Sequence, residues 1–137
     1  MGKYEGRIAA ENALKGHHSR VDYALLPTTV FTIPALAQVG LTEREAKRQG
    51  FRVAVNRAQF ADNGAADVRN ETEGLVKVVY DESSDRVLGV HILGSGAEDL
   101  IHVAAVAMGG GLTREALGQM HYVFPTVAGL VFDAMWG

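Results

Sequence analysis

Cysteine is absent from the 137-residue chain, and that alone excludes a disulfide framework, a redox-active dithiol and any thiolate metal site. Any disulfide chemistry around this protein must draw its sulfurs from elsewhere. Long apolar runs are missing too. None approaches the ~20 residues needed to cross a bilayer, and the opening MGKYEGRIAAENALKG lacks the apolar centre of a secretory leader, so a cytoplasmic protein is expected. The three prolines are scattered and no low-complexity tract occurs. No charge sign dominates: the formal net charge is −3, with the basic residues concentrated in the first half and the acidic ones in the second. The lysines and arginines form no stripe with interleaved aromatics, which argues against nucleic acid as a partner.

What remains is 47% hydrophobic and 21% charged, enough for one globular core. Tyr4 to Leu14 reads as a short helix with Ile8, Ala9, Ala13 and Leu14 as its apolar stripe and Gly16 as its stop. Extended runs at Thr29 to Thr32 and Leu36 to Val39, broken by Pro34, suit an edge or kinked strand. In LTEREAKRQG, Thr42 and Glu45 make a capping box and Gly50 stands at C′. FRVAVNRAQF alternates Phe51, Val53 and Val55 with Arg52, Ala54 and Asn56 as a half-buried strand does, and ADNGAADVRNETEG follows as a loop or short frayed helix. LVKVVYDESSDRVLGVHIL predicts a hairpin turning at Asp81 to Asp85. Helices are then expected over Ala97 to Met108, Thr113 to Met120 with Thr113 as N-cap, and Val127 to Met135 behind Pro125. Strands first and helices last predict an α+β fold, a mainly antiparallel sheet with helices on one face.

The stretch VHILGSGAEDLI poses the sharpest local question, because a strand running into Gly94-Ser95-Gly96 and then a helix is how a dinucleotide-binding turn begins. The third glycine of that fingerprint is Asp99, preceded by Glu98. Two carboxylates in the first turn repel phosphate and suit the helix dipole, so a strand end with an acidic helix start is the better reading. The helix beyond is apolar almost all round and must be buried or form an interface; Gly109-Gly110-Gly111 ends it.

His102 lies one turn from Glu98 and Asp99, where pairing with those acids is expected ahead of a metal site. His91, on the strand face taken to be shared by Val87 and Gly89, reads as a hydrogen-bonded structural histidine, and His17 and His18 as solvated residues. MHYVFPTVAGL concentrates His121, Tyr122, Phe124, Pro125 and Thr126 between two helices, as either a packing turn or a functional loop. No nucleophile, metal cluster or cofactor loop supports a self-contained enzyme built on His102 or His121.

The segments PTTVFTIPALAQVGLTEREAKRQGF, FADNG, ETEGLVKVVYDESSDRVLGVHILGSGAEDLI and FPT, in that order across Leu26 to Met135, resemble the C-terminal dimerisation domain of the FAD-dependent pyridine nucleotide-disulphide oxidoreductases. That group contains dihydrolipoamide dehydrogenase, glutathione reductase and mercuric reductase. The leader YEGRIAAENALKG resembles the helix closing the family's FAD domain, which implies that residues 1–25 are the end of that domain and 26–137 the dimerisation domain. The family's FAD and NAD(P) fingerprints and its cysteine pair lie upstream and are not in this chain. The resemblance therefore implies a fragment that binds no FAD or NAD(P)H itself and is non-catalytic alone. Its implied partners are a second copy about a two-fold axis and upstream FAD and NAD(P) domains, with no nucleic acid or membrane. Residues 97–108 and the FPT segment are expected at the two-fold contact.

In the dihydrolipoamide dehydrogenase branch the motif is His-Pro-Thr with a glutamate three residues after the threonine, acting as acid and base at the partner's flavin-disulphide site. Here Phe124 takes the histidine position and Gly129 the glutamate position, so that dyad is absent. Mercuric-reductase-like branches carry an aromatic residue there. The resemblance thus implies an interface or acceptor-pocket set of Tyr122, Phe124, Pro125 and Thr126. His121 and Tyr122 are substitutes for the dyad only if the turn points them inward, and the Arg-Ala of the family pattern is Ala65-Ala66. The competing expectation is a free-standing binding or scaffold domain of the same fold.

Overall fold

A computed structural model describes residues 2–137. Helix α1 (Gly2–Lys15) precedes β1 (Thr28–Val30), β2 (Ala35–Gly40), α2 (Glu43–Arg48) and β3 (Val53–Gln59). A 3-10 turn (Phe60–Asp62) leads into α3 (Gly64–Val68), followed by β4 (Leu75–Asp81), β5 (Val87–Gly94), α4 (Ala97–Gly109), α5 (Arg114–Gly118) and α6 (Gly129–Trp136). The five strands form one antiparallel sheet in the order β1-β2-β5-β4-β3. The α+β class is as expected, with Pro34 between β1 and β2 and β1 at the sheet edge. The last two helices are shorter or displaced relative to the periodicity: α5 stops at Gly118, and α6 starts at Gly129 instead of Val127.

Alternation along the strands sorts side chains onto two faces. Ala35, Ala37 and Val39 of β2, Val76 and Val78 of β4, and Val90 and Ile92 of β5 point to the face covered by α4 and α6. There they meet Ile101, Ala104, Leu130, Val131 and Met135 in the main core. On the opposite face α2 covers a smaller cluster of Ala46, Val79 and Leu88, with Phe51, Val53 and Val55 at its margin. Its capping box forms as predicted, Thr42 Oγ1 accepting from Glu45 N and Glu45 Oε2 from Thr42 N. Glu43 bridges Lys47 at 2.7 Å and Lys77 at 3.0 Å, and the hydrogen bond from Lys47 leads the causes that bring its carboxyl down to about 2.

A bulge between Val79 and Tyr80 corrects one expectation. It turns Val87 to the main core, while His91 and Gly89 lie on the α2 side, so Val87 does not share their face. The C-terminal end of α6 is held by groups distant in sequence. Its Met135 carbonyl accepts from Asn56 Nδ2 (3.1 Å) and from Arg114, whose Nε pairs with Asp85 at 2.8 Å and whose guanidinium lies 4.8 Å from the centre of the Tyr80 ring. By contrast α1 buries no residue: Ile8 is half-buried, and Ala9, Ala13 and Leu14 are exposed.

Candidate functional site

The GSG turn answers its question through packing. Gly94 ends β5 directly beneath the fully buried ring of Phe60, and a Cβ at Gly94 would collide with that ring. Gly96 has φ 72° as the residue before α4, the left-handed region that glycine enters freely. Both glycines therefore have structural causes. Beside them lies a groove of about 490 Å³ lined in part by Ser95, Gly96 and three carboxylates, Glu71, Glu73 and Glu98. One buried carboxylate oxygen of Glu98 has no hydrogen-bond partner among the described residues. A pyrophosphate does not fit such a lining, because it would add anionic charge to uncompensated anionic charge.

The expected histidine roles divide. His91 Nε2 lies 3.2 Å from the Leu41 carbonyl, as a structural histidine should. Burial holds its pKa below the ordinary value, with Lys77 adding to the effect. A histidine neutral in the fold and free to protonate in the unfolded chain gives stability that is present above about pH 6.5. That stability is lost as the pH falls through the depressed native pKa. Urea titrations at pH 8 and pH 5 should show this loss, and His91→Gln should flatten it. His102 departs from expectation: it is exposed and pairs with neither Glu98 nor Asp99, because α4 turns it to solvent. Among the described residues no three His, Cys, Asp or Glu side chains group as a metal site.

The apolar cover required by α4 is mostly supplied within the chain. Ala97, Leu100, Ile101, Ala104 and Ala107 are buried, leaving a narrow exposed stripe through His102 and Val106. The bare apolar surface instead lies in segment 120–125, where Val123 is 76% and Phe124 82% exposed.

That segment is held in one shape by three anchors. Thr126 Oγ1 donates to the Val123 carbonyl at 2.7 Å. Asn63 Nδ2 donates to the Thr126 carbonyl at 3.1 Å, while Asn63 Oδ1 accepts from the backbone N–H groups of Ala65 and Ala66 as the N-cap of α3. Tyr122 lies along α6, its ring stacked on Phe132 with centroids 4.6 Å apart and its hydroxyl donating to Asp133 at 2.9 Å. The hydrogen bond to Asp133 is the leading reason that the phenol's pKa is raised.

Tyr122 is thus turned onto α6 with its proton committed to Asp133, whereas His121 points into solvent. Phe124 and Pro125 are exposed and Thr126 is partly covered. Asn63, Phe132 and Asp133 belong to the arrangement although sequence reading passed over them. The only local signal was Asn63 followed by Gly-Ala-Ala, an N-cap pattern hidden inside a polar stretch.

A second exposed apolar surface crosses the sheet on the face away from α4 and α6. Val30, Leu36 and Leu93 are successive cross-strand neighbours there, and Phe31 (81% exposed) and Ile33 stand at its margin, in the connection that leaves β1 for β2.

Residues 26–134 match the family model described as pyridine nucleotide-disulphide oxidoreductase, dimerisation domain. A dihydrolipoyl dehydrogenase of Bacillus subtilis (strain 168) is 37% identical over 96% of the chain, which spans only 28% of that protein's length. A Staphylococcus aureus protein known as an uncharacterized 19.7 kDa protein in mercuric resistance operon is 34% identical over 90% of the chain, covering 69% of its own length. Among solved structures, the Cu(II) complex of the HOCl-induced flavoprotein disulfide reductase RclA from Escherichia coli superposes with TM-score 0.86 at 28% identity, over 95% of this chain and 30% of that one. LpdA (Rv3303c) from Mycobacterium tuberculosis gives 0.85 at 27% identity, over 97% and 29%.

Proposed function

Because the chain belongs to the pyridine nucleotide-disulphide oxidoreductase dimerisation-domain family, we propose that it acts as a two-fold homodimerisation module, non-catalytic by itself, of a cytoplasmic flavin-dependent enzyme. That enzyme carries electrons from NAD(P)H through FAD to a disulphide, a metal ion or a related acceptor. The observation carrying the reading is the clamped apolar segment 120–125, in which Val123 and Phe124 are exposed yet fixed. Covering such side chains gives roughly 1.5–3 kcal/mol each, and a two-fold contact uses every such residue twice. Residues 1–25 take the part of the closing helix of an FAD domain, in keeping with an α1 that buries nothing against the rest of the chain. The apolar row of Val30, Leu36 and Leu93 then serves as the seat for the FAD and NAD(P) domains.

Within this reading Tyr122, Phe124, Pro125 and Thr126 line the contact and the acceptor pocket of the second copy. Phe124 shapes that pocket without donating protons. Sedimentation of the purified chain at micromolar concentrations should show a dimer, and Phe124→Asp should shift it towards monomer by at least tenfold in Kd. A wild-type monomer throughout the high-micromolar range contradicts the proposal. The purified chain should also show no flavin absorbance.

A second reading has one specific observation behind it, the 19.7 kDa Staphylococcus relative of which the chain covers 69%. A relative of that size points to a free-standing binding or scaffold domain that keeps the fold and the self-contact without redox chemistry. Mass spectrometry of the native protein, intact from its own cells, separates the two by its length.

A further inference from the structure

Nothing in the backbone of Gly129 calls for glycine, because its φ lies outside the left-handed region. Its surroundings do. A Cβ built there would sit 2.9 Å from Tyr122 Cε2, and 3.6 and 3.7 Å from Cδ2 and Cζ. A free ring would swing aside at little cost, but this one is fixed on Phe132 and bonded to Asp133. Residues 129, 132 and 133 stand at i, i+3 and i+4 on one face of α6, so Tyr122 lies in a slot whose floor is Gly129.

We propose that the interlock of Tyr122 with Gly129 sets how segment 120–125 is presented to a second copy of the chain, with Tyr122 as the positioning residue and Val123 and Phe124 as the contacts it aims. The inference rests on the self-association reading above and adds its determinant: a side chain at position 129 and the seated Tyr122 exclude one another. A carboxylate at 129 is therefore incompatible with this loop shape, and the segment works as a fixed apolar contact. The raised phenol pKa agrees with a seated ring, since Asp133 disfavours the phenolate only while the hydroxyl faces it.

The test is a cycle of wild type, Gly129→Ala, Tyr122→Ala and the double variant, with Tyr122→Phe and Asp133→Asn alongside. Gly129→Ala alone should lower the melting temperature and weaken self-association at least tenfold, with far-UV circular dichroism unchanged. In the Tyr122→Ala background the same change should leave the melting temperature unmoved or raise it, because alanine is the better helix former once the slot is empty. Tyr122→Phe keeps the stacked ring and should associate within a few-fold of wild type. NMR titration of labelled tyrosine rings supplies a readout that a general loss of stability does not move. The raised Tyr122 ionisation should return towards the ordinary value in Gly129→Ala and in Asp133→Asn. Equal melting-temperature losses from Gly129→Ala in both backgrounds would overturn the interlock. A dimeric Gly129→Ala variant of wild-type affinity, with Tyr122 displaced in its spectra, would overturn its role in presentation alone. A monomeric wild type defeats the self-association reading and the presentation with it, while the cycle still decides the interlock.

Discussion

Gly94→Ala should remove about 3 kcal/mol or more of stability and lower the melting temperature by on the order of 10 °C. The methyl group enters the space of the Phe60 ring, and that ring is fully buried between the sheet and the helical layer, with no free direction in which to retreat. Insertions into packed cores cost roughly 1–3 kcal/mol, and a direct clash with an aromatic ring belongs at the upper end. Such a loss is a large share of a domain's total of roughly 5–15 kcal/mol. Phe60→Ala should itself cost about 3–5 kcal/mol through the cavity it leaves. The double variant is then decisive, because the new methyl at 94 occupies part of that cavity. Its loss in urea denaturation should fall clearly short of the two single losses added together, and strict additivity would show that the residues do not meet. Gly96→Ala provides the contrast: nothing lies within 4 Å of its would-be Cβ, so only the left-handed backbone resists, at about 1 kcal/mol. A phosphate cradle would show the opposite order, with ligand binding impaired and stability kept.

That pair also shows what a single sequence conveys. The capping box at Thr42 and Glu45, the Asp81 to Asp85 turn and the N-cap at Thr113 are local patterns, completed within a few residues, and all three form as predicted. The acidic start of α4 was legible for the same reason. Phe60 over Gly94, Arg114 at the end of α6 and Tyr122 over Gly129 depend on where the sheet brings distant segments together, and periodicity carries no such information. Phe124 and Pro125 could be singled out as unusual, but their exposure could not. The apolar run of α4 drew attention because hydrophobicity is visible in sequence, whereas the sheet covering five of its residues is not.

Asn63→Ala carries the second large effect and reaches the site directly. Asn63 is buried, and its side chain serves both ends of one connection, accepting from Ala65 N and Ala66 N at the start of α3 and donating to the Thr126 carbonyl 63 residues away. Loss of an N-cap costs about 0.5–2 kcal/mol, and leaving a carbonyl unpaired in a covered position costs about 1–3 kcal/mol more. A total of roughly 2–4 kcal/mol is expected, with melting lowered accordingly. Asn63→Asp separates the two functions: its carboxylate still accepts from the α3 amides and adds favourable charge at a helix start, but it has no N–H to give Thr126. It should therefore recover most of the cap's contribution while leaving segment 120–125 released. Backbone order at Val123 and Phe124, read by NMR relaxation, should fall in both variants, whereas hydrogen exchange in α3 accelerates only in Asn63→Ala. If the segment keeps its wild-type order in Asn63→Asp, its shape is set without the Asn63 bond, and Tyr122 and Thr126 hold it alone.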